Sequence, residues 1–519
     1  MKHFRMTRRN VTRRFGALVA LAWLPACAAP APAPAPRAPT PPLAPLPTAA
    51  PVASADPLSE PPSSPVRPTT PFPSIVHRQL KGGLELAIVP RPGFPVVELR
   101  LIVRSGQATD GDLPGLAALT GKLLKDGGAG AWTSRELAEK TEGLGAHLSI
   151  ATDRDSTRIG LGATSGDLDA ALDILGAVVE QPRFAAGEFD KLRQREIDRV
   201  KDRARTSPSW LASMVLYREL YEMPVGVHPY ARYDALPDEM AALKLEHVKR
   251  WYKEHVTPEN AVLVVTGDVT PDEFEKSAER VFGKWHGVKP SPPSFSDARG
   301  PNGRKILVVD RPGSTQSQVF VGALGPERRS DEYPALMAAN QILGGGVAGR
   351  LFLDVREKRS LAYNTGSYVE EPAHGPMPVV LSAGTQTAKT ADTVAALLEH
   401  YDRMSTSAPS GDELDRAAHF LADSFAFKME TAGAVADLTA RLSVLGLPDE
   451  TYDEYRHAVR ELDPETVART ASHTFRHDSL VVVVAGDASA IAGTLTRFGA
   501  VSVLDPEREF SIEKTLPHQ

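Results

Sequence analysis

The chain has 519 residues, 42% of them apolar and 24% charged, proportions that suit a folded protein with room for two or three domains. Its formal net charge of -6 gives no basic footprint, which argues against nucleic acid as a partner. A single cysteine excludes any internal disulfide.

Residues 1–27 read as an export signal. Lys2, Arg5, Arg8, Arg9, Arg13 and Arg14 form a positive leader, and Phe15 to Leu24 an apolar run too short to span a bilayer as a mature helix. The run ends Leu24-Pro25-Ala26-Cys27, which resembles a bacterial lipobox, so Cys27 is the expected lipidation site. Thr12-Arg13-Arg14-Phe15 matches a twin-arginine signal only loosely, which leaves the export route open. The expected location is the periplasmic side of the cell envelope, on a membrane through an N-terminal lipid.

Residues 28–72 are dominated by Pro, Ala, Ser and Thr. Repeated prolines remove backbone donors and favour extended, solvated chain, so this stretch reads as a tether reaching on the order of 100 Å when fully extended.

Beyond the tether a similar programme runs twice. Arg91-Pro92-Gly93 follows the apolar run Leu84 to Val89, and Arg311-Pro312-Gly313 follows Ile306 to Val309. Each half closes on an apolar strand ending in Gly-Asp, at Gly267-Asp268 and Gly486-Asp487. The first pair of landmarks is 220 residues apart and the second 219, which argues for internal duplication. Periodicity predicts strands at Leu84 to Val89, Val96 to Val103, His147 to Ala151 and Thr157 to Leu161. It predicts helices at Leu113 to Lys125, Ser134 to Leu144, between Asp167 and Tyr221, and at Glu239 to Glu254. Strands grouped apart from helices predict an α+β fold of two homologous domains, each a mainly antiparallel sheet with helices on one side. The domains are placed at 73–289 and 304–512, joined by a Pro/Ser/Gly-rich linker at 290–303.

The most specific stretch is Asn340 to Tyr363. It combines Gly344-Gly345-Gly346, a short charged helix and the pair Arg359 and Tyr363 entering a strand-like segment. Ile342 to Gly346, Arg350-Leu351-Phe352 and Arg356 to Tyr363 resemble the pitrilysin/insulinase family of zinc peptidases, with Ser360 where that family has glycine. His228-Pro229-Tyr230 and Asn260 to Asp268 add to the likeness, which spans about Ser74 to Asp505. The resemblance implies that each chain forms half of a clam-shell chamber. It also implies that the Arg/Tyr pair contacts the peptide near the scissile bond, where guanidinium and phenol donors stabilise an oxyanion; the alternative is a structural salt-bridge arginine and a core tyrosine. The glycine run is implied to be a mobile loop over the peptide channel; a helix C-cap followed by a turn is the alternative.

Active members of that family carry H-x-x-E-H in the first helix, two imidazoles binding Zn2+ and a glutamate activating water. Here Gly115-Leu116-Ala117 precedes Ala118-Leu119-Thr120-Gly121-Lys122, so both histidine positions (Ala118, Lys122) and the general-base position (Gly121) are degenerate. The third ligand position falls on Arg199, or on Asp198 with a one-residue shift. Lys122 and Arg199 thus place two cations where the family holds a metal. None of the 14 histidines belongs to an H-x-x-E-H. His473 and His477 are the remaining close pair, but no carboxylate stands at ligand spacing. There is no G-x-S-x-G elbow either.

In the heterodimeric members the zinc motif and the Arg/Tyr pair sit on different chains. The expectation is therefore a non-catalytic, substrate-binding subunit, with no catalytic residue or metal of its own. It would pair with a homologous H-x-x-E-H chain that carries Zn2+ and would act on peptides. The alternative is an inactive envelope scaffold or peptide-binding lipoprotein with the same fold.

Overall fold

The computed structural model describes residues 70–221, 228–298 and 300–519; the leader, Cys27 and the tether up to residue 69 lie outside the described residues. Pro68–Gln519 is one compact unit containing two sheets. The first holds β1 (Val76–Gln79), β2 (Glu85–Pro90), β3 (Val96–Val103), β4 (His147–Thr152), β5 (Thr157–Thr164) and β6 (Ala261–Gly267). Their order is β1-β2-β6-β3-β5-β4, and only β2 with β6 is parallel. Its helices are α1 (Leu116–Asp126), α2 (Ser134–Gly143), α3 (Leu168–Glu180), α4 (Ala186–Thr206), α5 (Pro208–Tyr221), α6 (Pro237–Ala242), α7 (Leu245–His255) and α8 (Pro271–Phe282).

The second sheet holds β7 (Gly303–Asp310), β8 (Gln316–Glu327), β9 (Ala362–Val369), β10 (Pro376–Gln386), β11 (Ser479–Gly486), β12 (Val501–Asp505) and β13 (Ser511–Leu516). They are ordered β13-β12-β7-β11-β8-β10-β9, with β7 parallel to both β11 and β12. Its helices are α9 (Tyr333–Leu343), α10 (Thr390–Thr406), α11 (Gly411–Asp423), α12 (Phe425–Lys428), α13 (Ala432–Leu445), α14 (Thr451–Arg460), α15 (Pro464–Thr474) and α16 (Ala488–Leu495). Setting aside the outer strands, β2-β6-β3-β5-β4 and β7-β11-β8-β10-β9 are the same order, with the parallel pair in the same place. The repeated landmarks in the sequence therefore mark a repeated topology.

Helices cover both faces of each sheet, not one side as the sequence pattern suggests. The central strands β6 and β11 are buried along nearly their whole length, as strands covered on both faces must be. Helices α1, α3, α7 and α8 pack on one face of the first sheet; the other receives α13 from the second half, with Ala436 and Ala440 against Ile102, Val262 and Val264. Reciprocally, α5 from the first half packs on the second sheet, where Leu216 and Leu220 join Val309, Phe320 and Val483. The fit is close at Gly322, where an added Cβ would lie 2.7 Å from Leu216 Cδ1. Each half completes the other's core.

The ends of the unit also depart from the expected boundaries. Phe72, placed in the tether by composition, is buried in a cluster with Phe425 and Tyr452, and its N–H bonds the Asp453 carboxylate at 3.0 Å. β13 continues the sheet past residue 512 to Leu516. Among the described residues no helix is long and apolar enough to cross a membrane.

Candidate functional site

Helix α1 carries the degenerate motif, and its start is set by a buried carboxylate. Asp110 accepts from the backbone N–H groups of Gly115 (2.7 Å) and Ala117 (2.8 Å), satisfying donors of the first turn that have no partner within the helix. Gly115 stands at φ 84, a left-handed conformation that favours glycine, so the helix begins three residues later than the apolar pattern implies. Burial pushes Asp110 up to about 7, against the pull of those two amides and of Arg232.

One turn apart on α1, Ala118 and Lys122 line a cavity of about 630 Å³. Arg199 and Arg203 of α4 and the Thr152–Ser156 loop after β4 form other walls; Val444 and Leu445 of α13, together with Val369 at the end of β9, close it from the second half. Gly121 faces β4 instead. A Cβ there would come within 2.6 Å of Thr152 Oγ1, so the position of the family's general base is closed by the neighbouring strand.

The charges at this place are organised by Glu196, a residue the sequence reading passes over. Its Oε2 lies 2.6 Å from Lys122 Nζ and 2.5 Å from Arg199 Nε, and its side chain is only 10% exposed. Burial alone would raise the Glu196 carboxyl, but the hydrogen bonds and charges of Lys122 and Arg199 outweigh it and hold the group below the usual range. The two cations expected to repel a metal are therefore bridged by a carboxylate. Asp198, the alternative third-ligand position, is exposed and accepts from Gln194 at 3.0 Å, because a helix turns it away from the face that carries Glu196 and Arg199. A signal for Glu196 was present in the sequence: it interrupts the apolar stripe Phe189, Leu192, Val200 of α4, where a lone charge must find partners.

Beyond Arg199 the network continues. Asp234 accepts from Trp210 Nε1 at 3.0 Å and lies 3.6 Å from Arg199 and 3.5 Å from Arg203. On another side Arg154 pairs with Glu370 at 2.6 Å, beneath a hydrogen bond from the Tyr217 hydroxyl to the same carboxylate. Tyr230, part of the His-Pro-Tyr segment, donates to Asp155. These contacts tie first-half loops to the segment after β9.

Arg359 and Tyr363 lie elsewhere. Among the described residues lining the cavity neither appears, and Tyr363 stands at the far end of β9, on the order of 20 Å from Val369 at the strand rise. The Arg359 guanidinium lies 2.8 Å from Asp354 and 2.9 Å from Glu399. Asp354 in turn bonds His400 Nε2 at 2.9 Å. The Tyr363 ring is 85% exposed, so it is no core tyrosine; Arg356 stacks over it at 5.5 Å. Between α9 and β9 the charged segment Phe352–Lys358 is a π-helix, and Ser360 after it adopts φ 49, the left-handed conformation glycine would hold more cheaply.

The glycine run divides. Gly344 is buried, its C=O accepting from Ser367 N–H of β9 at 2.9 Å, and an added Cβ would meet that same nitrogen at 2.6 Å. It is a packing glycine, since α9 must approach β9 without a side chain between them. Gly345 and Gly346 are more open, and the N–H groups of Gly344 and Gly345 both cap Asn340 C=O at 2.9 Å.

The residues present do not fit Zn2+. Alanine and glycine supply no ligand atom, a protonated lysine supplies no lone pair, and the single carboxylate is held by two cations. Among the described residues no group of three or more His, Cys, Asp or Glu converges as metal donors. His473 and His477 do not share a helix face, because α15 ends at Thr474, and both are exposed.

Comparison with known proteins gives the context. Residues 87–223 match the family model Insulinase (Peptidase family M16), and residues 242–421 match Peptidase M16 inactive domain. An uncharacterized zinc protease of Mycobacterium leprae is 25% identical over 456 residues, covering 86% of this chain and 94% of the relative. The crystal structure of a peptidase M16 inactive domain from Pseudomonas fluorescens superposes with a TM-score of 0.74 at 25% identity, covering 80% of this chain and 98% of that one. A protease from Helicobacter pylori superposes with a TM-score of 0.72 at 20% identity, covering 80% and 100%. The two family models together take in more than half of the chain, the first containing α1 and α4 and the second the Arg/Tyr stretch. This chain belongs to the pitrilysin/insulinase family, peptidase family M16.

Proposed function

We propose that the chain is a non-catalytic, substrate-binding subunit of a heterodimeric zinc metallopeptidase, pairing with an H-x-x-E-H homologue that holds Zn2+ and acting on peptides in the cell envelope. The observation that supports this reading is the Lys122–Glu196–Arg199 bridge, which lies at the positions that the family resemblance assigns to a metal. An exposed Tyr363, beside an Arg359 held in position by two carboxylates, is available to a second chain. Lipidation at Cys27 would keep the pair at a membrane, with the tether setting its reach.

The test is reconstitution. Mixing the purified chain with its zinc-bearing homologue should produce cleavage of unstructured peptides that neither shows alone, and Tyr363→Phe or Arg359→Ala in this chain should lower it. No cleavage in any mixture would overturn the proposal. The scaffold reading gains one specific observation: Arg359 is already satisfied by Asp354 and Glu399 within its own domain. On that reading the same substitutions leave partner binding and any peptide turnover unchanged.

A further inference from the structure

The cavity at the degenerate motif is more than a filled-in metal site. Three cations, Lys122, Arg199 and Arg203, share two carboxylates, Glu196 and Asp234. That leaves one positive charge in excess on this wall, while the facing side sets Arg154, Arg158 and Arg441 against Asp153, Asp155, Glu370 and Glu371. Arg203 makes only the 3.5 Å ion contact to Asp234, and its guanidinium takes part in no hydrogen bond among the described residues. Arg158, on the loop side of the same cavity, is likewise limited to a 3.3 Å ion contact with Asp153. Two guanidinium groups thus present unused N–H donors to one open cleft of about 630 Å³.

We propose that this cavity binds a carboxylate borne by a peptide, with Arg203 and Arg158 as the contacting cations. A planar carboxylate suits the fork of Arg203, whose N–H donors are unused. A dianion such as phosphate fits less well, since Asp153, Asp155 and Glu370 also line the cavity. Val369, Val444 and Leu445 supply an apolar wall for a neighbouring side chain, the usual make-up of a site that binds organic ligands. The site is separate from Arg359 and Tyr363 and needs only this chain. The choice of a peptide as bearer rests on the proposed substrate-binding role.

Isothermal titration of the whole chain with N-acetylated decapeptides tests this without any partner. A peptide ending in a free carboxylate should bind saturably, and its C-terminal amide at least tenfold more weakly. An amidated peptide carrying an internal glutamate distinguishes the two sources: recovery of binding assigns the site to side-chain carboxylates, and continued loss assigns it to the chain terminus. Arg203→Gln should weaken binding of the preferred peptide tenfold or more while leaving the thermal unfolding midpoint in place, since that guanidinium makes no hydrogen bond. Equal binding of acid and amide, no saturable binding of any peptide, or unchanged binding by Arg203→Gln would overturn the proposal. Failure of the two-chain cleavage assay would leave these outcomes intact, so the two ideas stand or fall separately.

Discussion

Replacing Lys122 by methionine isolates the energetics of the bridge, because methionine keeps most of the aliphatic stem while removing the charge. Glu196 would then keep Arg199 as its one close cation while remaining buried, with its side chain 10% exposed. Breaking a fully buried pair costs about 3–5 kcal/mol, and an exposed pair about 0.2–1. Lys122 is 39% exposed, so solvent screening brings the expected loss down to about 2 kcal/mol. The pH dependence has a definite sign. Glu196 is held below its unfolded value, so its contribution is present above the ordinary carboxylate range and is lost as pH falls through the folded value. In Lys122→Met, burial is opposed by one cation instead of two, and the loss moves to higher pH. Urea unfolding followed by tryptophan fluorescence is a suitable assay, since Trp210 bonds Asp234 beside Arg199 and Arg203. A cycle with Glu196→Gln should return a coupling of about 1–2 kcal/mol. A coupling below about 0.3 kcal/mol, or a Lys122→Met protein more stable than the parent, would refute the account of the bridge.

Restoring the motif with Ala118→His, Gly121→Glu and Lys122→His should yield a destabilised protein without stoichiometric zinc by elemental analysis, because the Gly121 side chain would run into Thr152. Ser360→Gly should raise stability by about 0.5–1 kcal/mol in urea unfolding, relieving a left-handed serine against the entropy a glycine loses. Gly344→Ala should cost about 1–3 kcal/mol by forcing α9 from β9, while Gly346→Ala, whose Cβ meets only the Gln341 side chain at 3.2 Å, should stay within about 0.5. Asp110, raised to about 7, makes stability fall as pH climbs from about 4 to 7, because the unfolded carboxyl loses its proton first. The slope is at most about 1.4 kcal/mol per pH unit, and Asp110→Asn should flatten it.

Much of the fold was written in periodicity. Val96 to Val103 is a strand with the expected bounds, and the helix expected at Ser134 to Leu144 ends one residue earlier. Alternation and turn residues are local, and where tertiary contacts agree with them the reading holds. What was not legible depended on partners distant in sequence. The apolar faces of α5 and α13 announce burial but not which sheet they cover, and each covers the sheet of the other half. Likewise Arg359 is conspicuous in its motif, yet Glu399, one of the residues that hold it, lies 40 positions away in an unremarkable helix. Glu196 was legible in principle, as a charge on a buried stripe. Alignment by motif points three residues further on, to Arg199.

The exchange of helices bears on how a metal site could be lost without loss of the fold. In a zinc-bearing relative the metal's ligands would sit on the counterparts of α1 and α4, so the ion also cross-links two helices, and deleting its ligands alone would leave that junction open. Here Lys122 comes from α1 and both Glu196 and Arg199 from α4, one turn apart, so an ion bridge spans the same junction. α13, arriving from the second half, covers the cavity beside it and is itself fastened to the first sheet through Arg100 and Asp437 at 2.8 Å. A junction held by charges and closed by the other half can dispense with a metal as a structural element. It holds no Lewis acid, and it presents the guanidinium groups of Arg158 and Arg203 to an open cleft, so the position is a charged site and not an empty one.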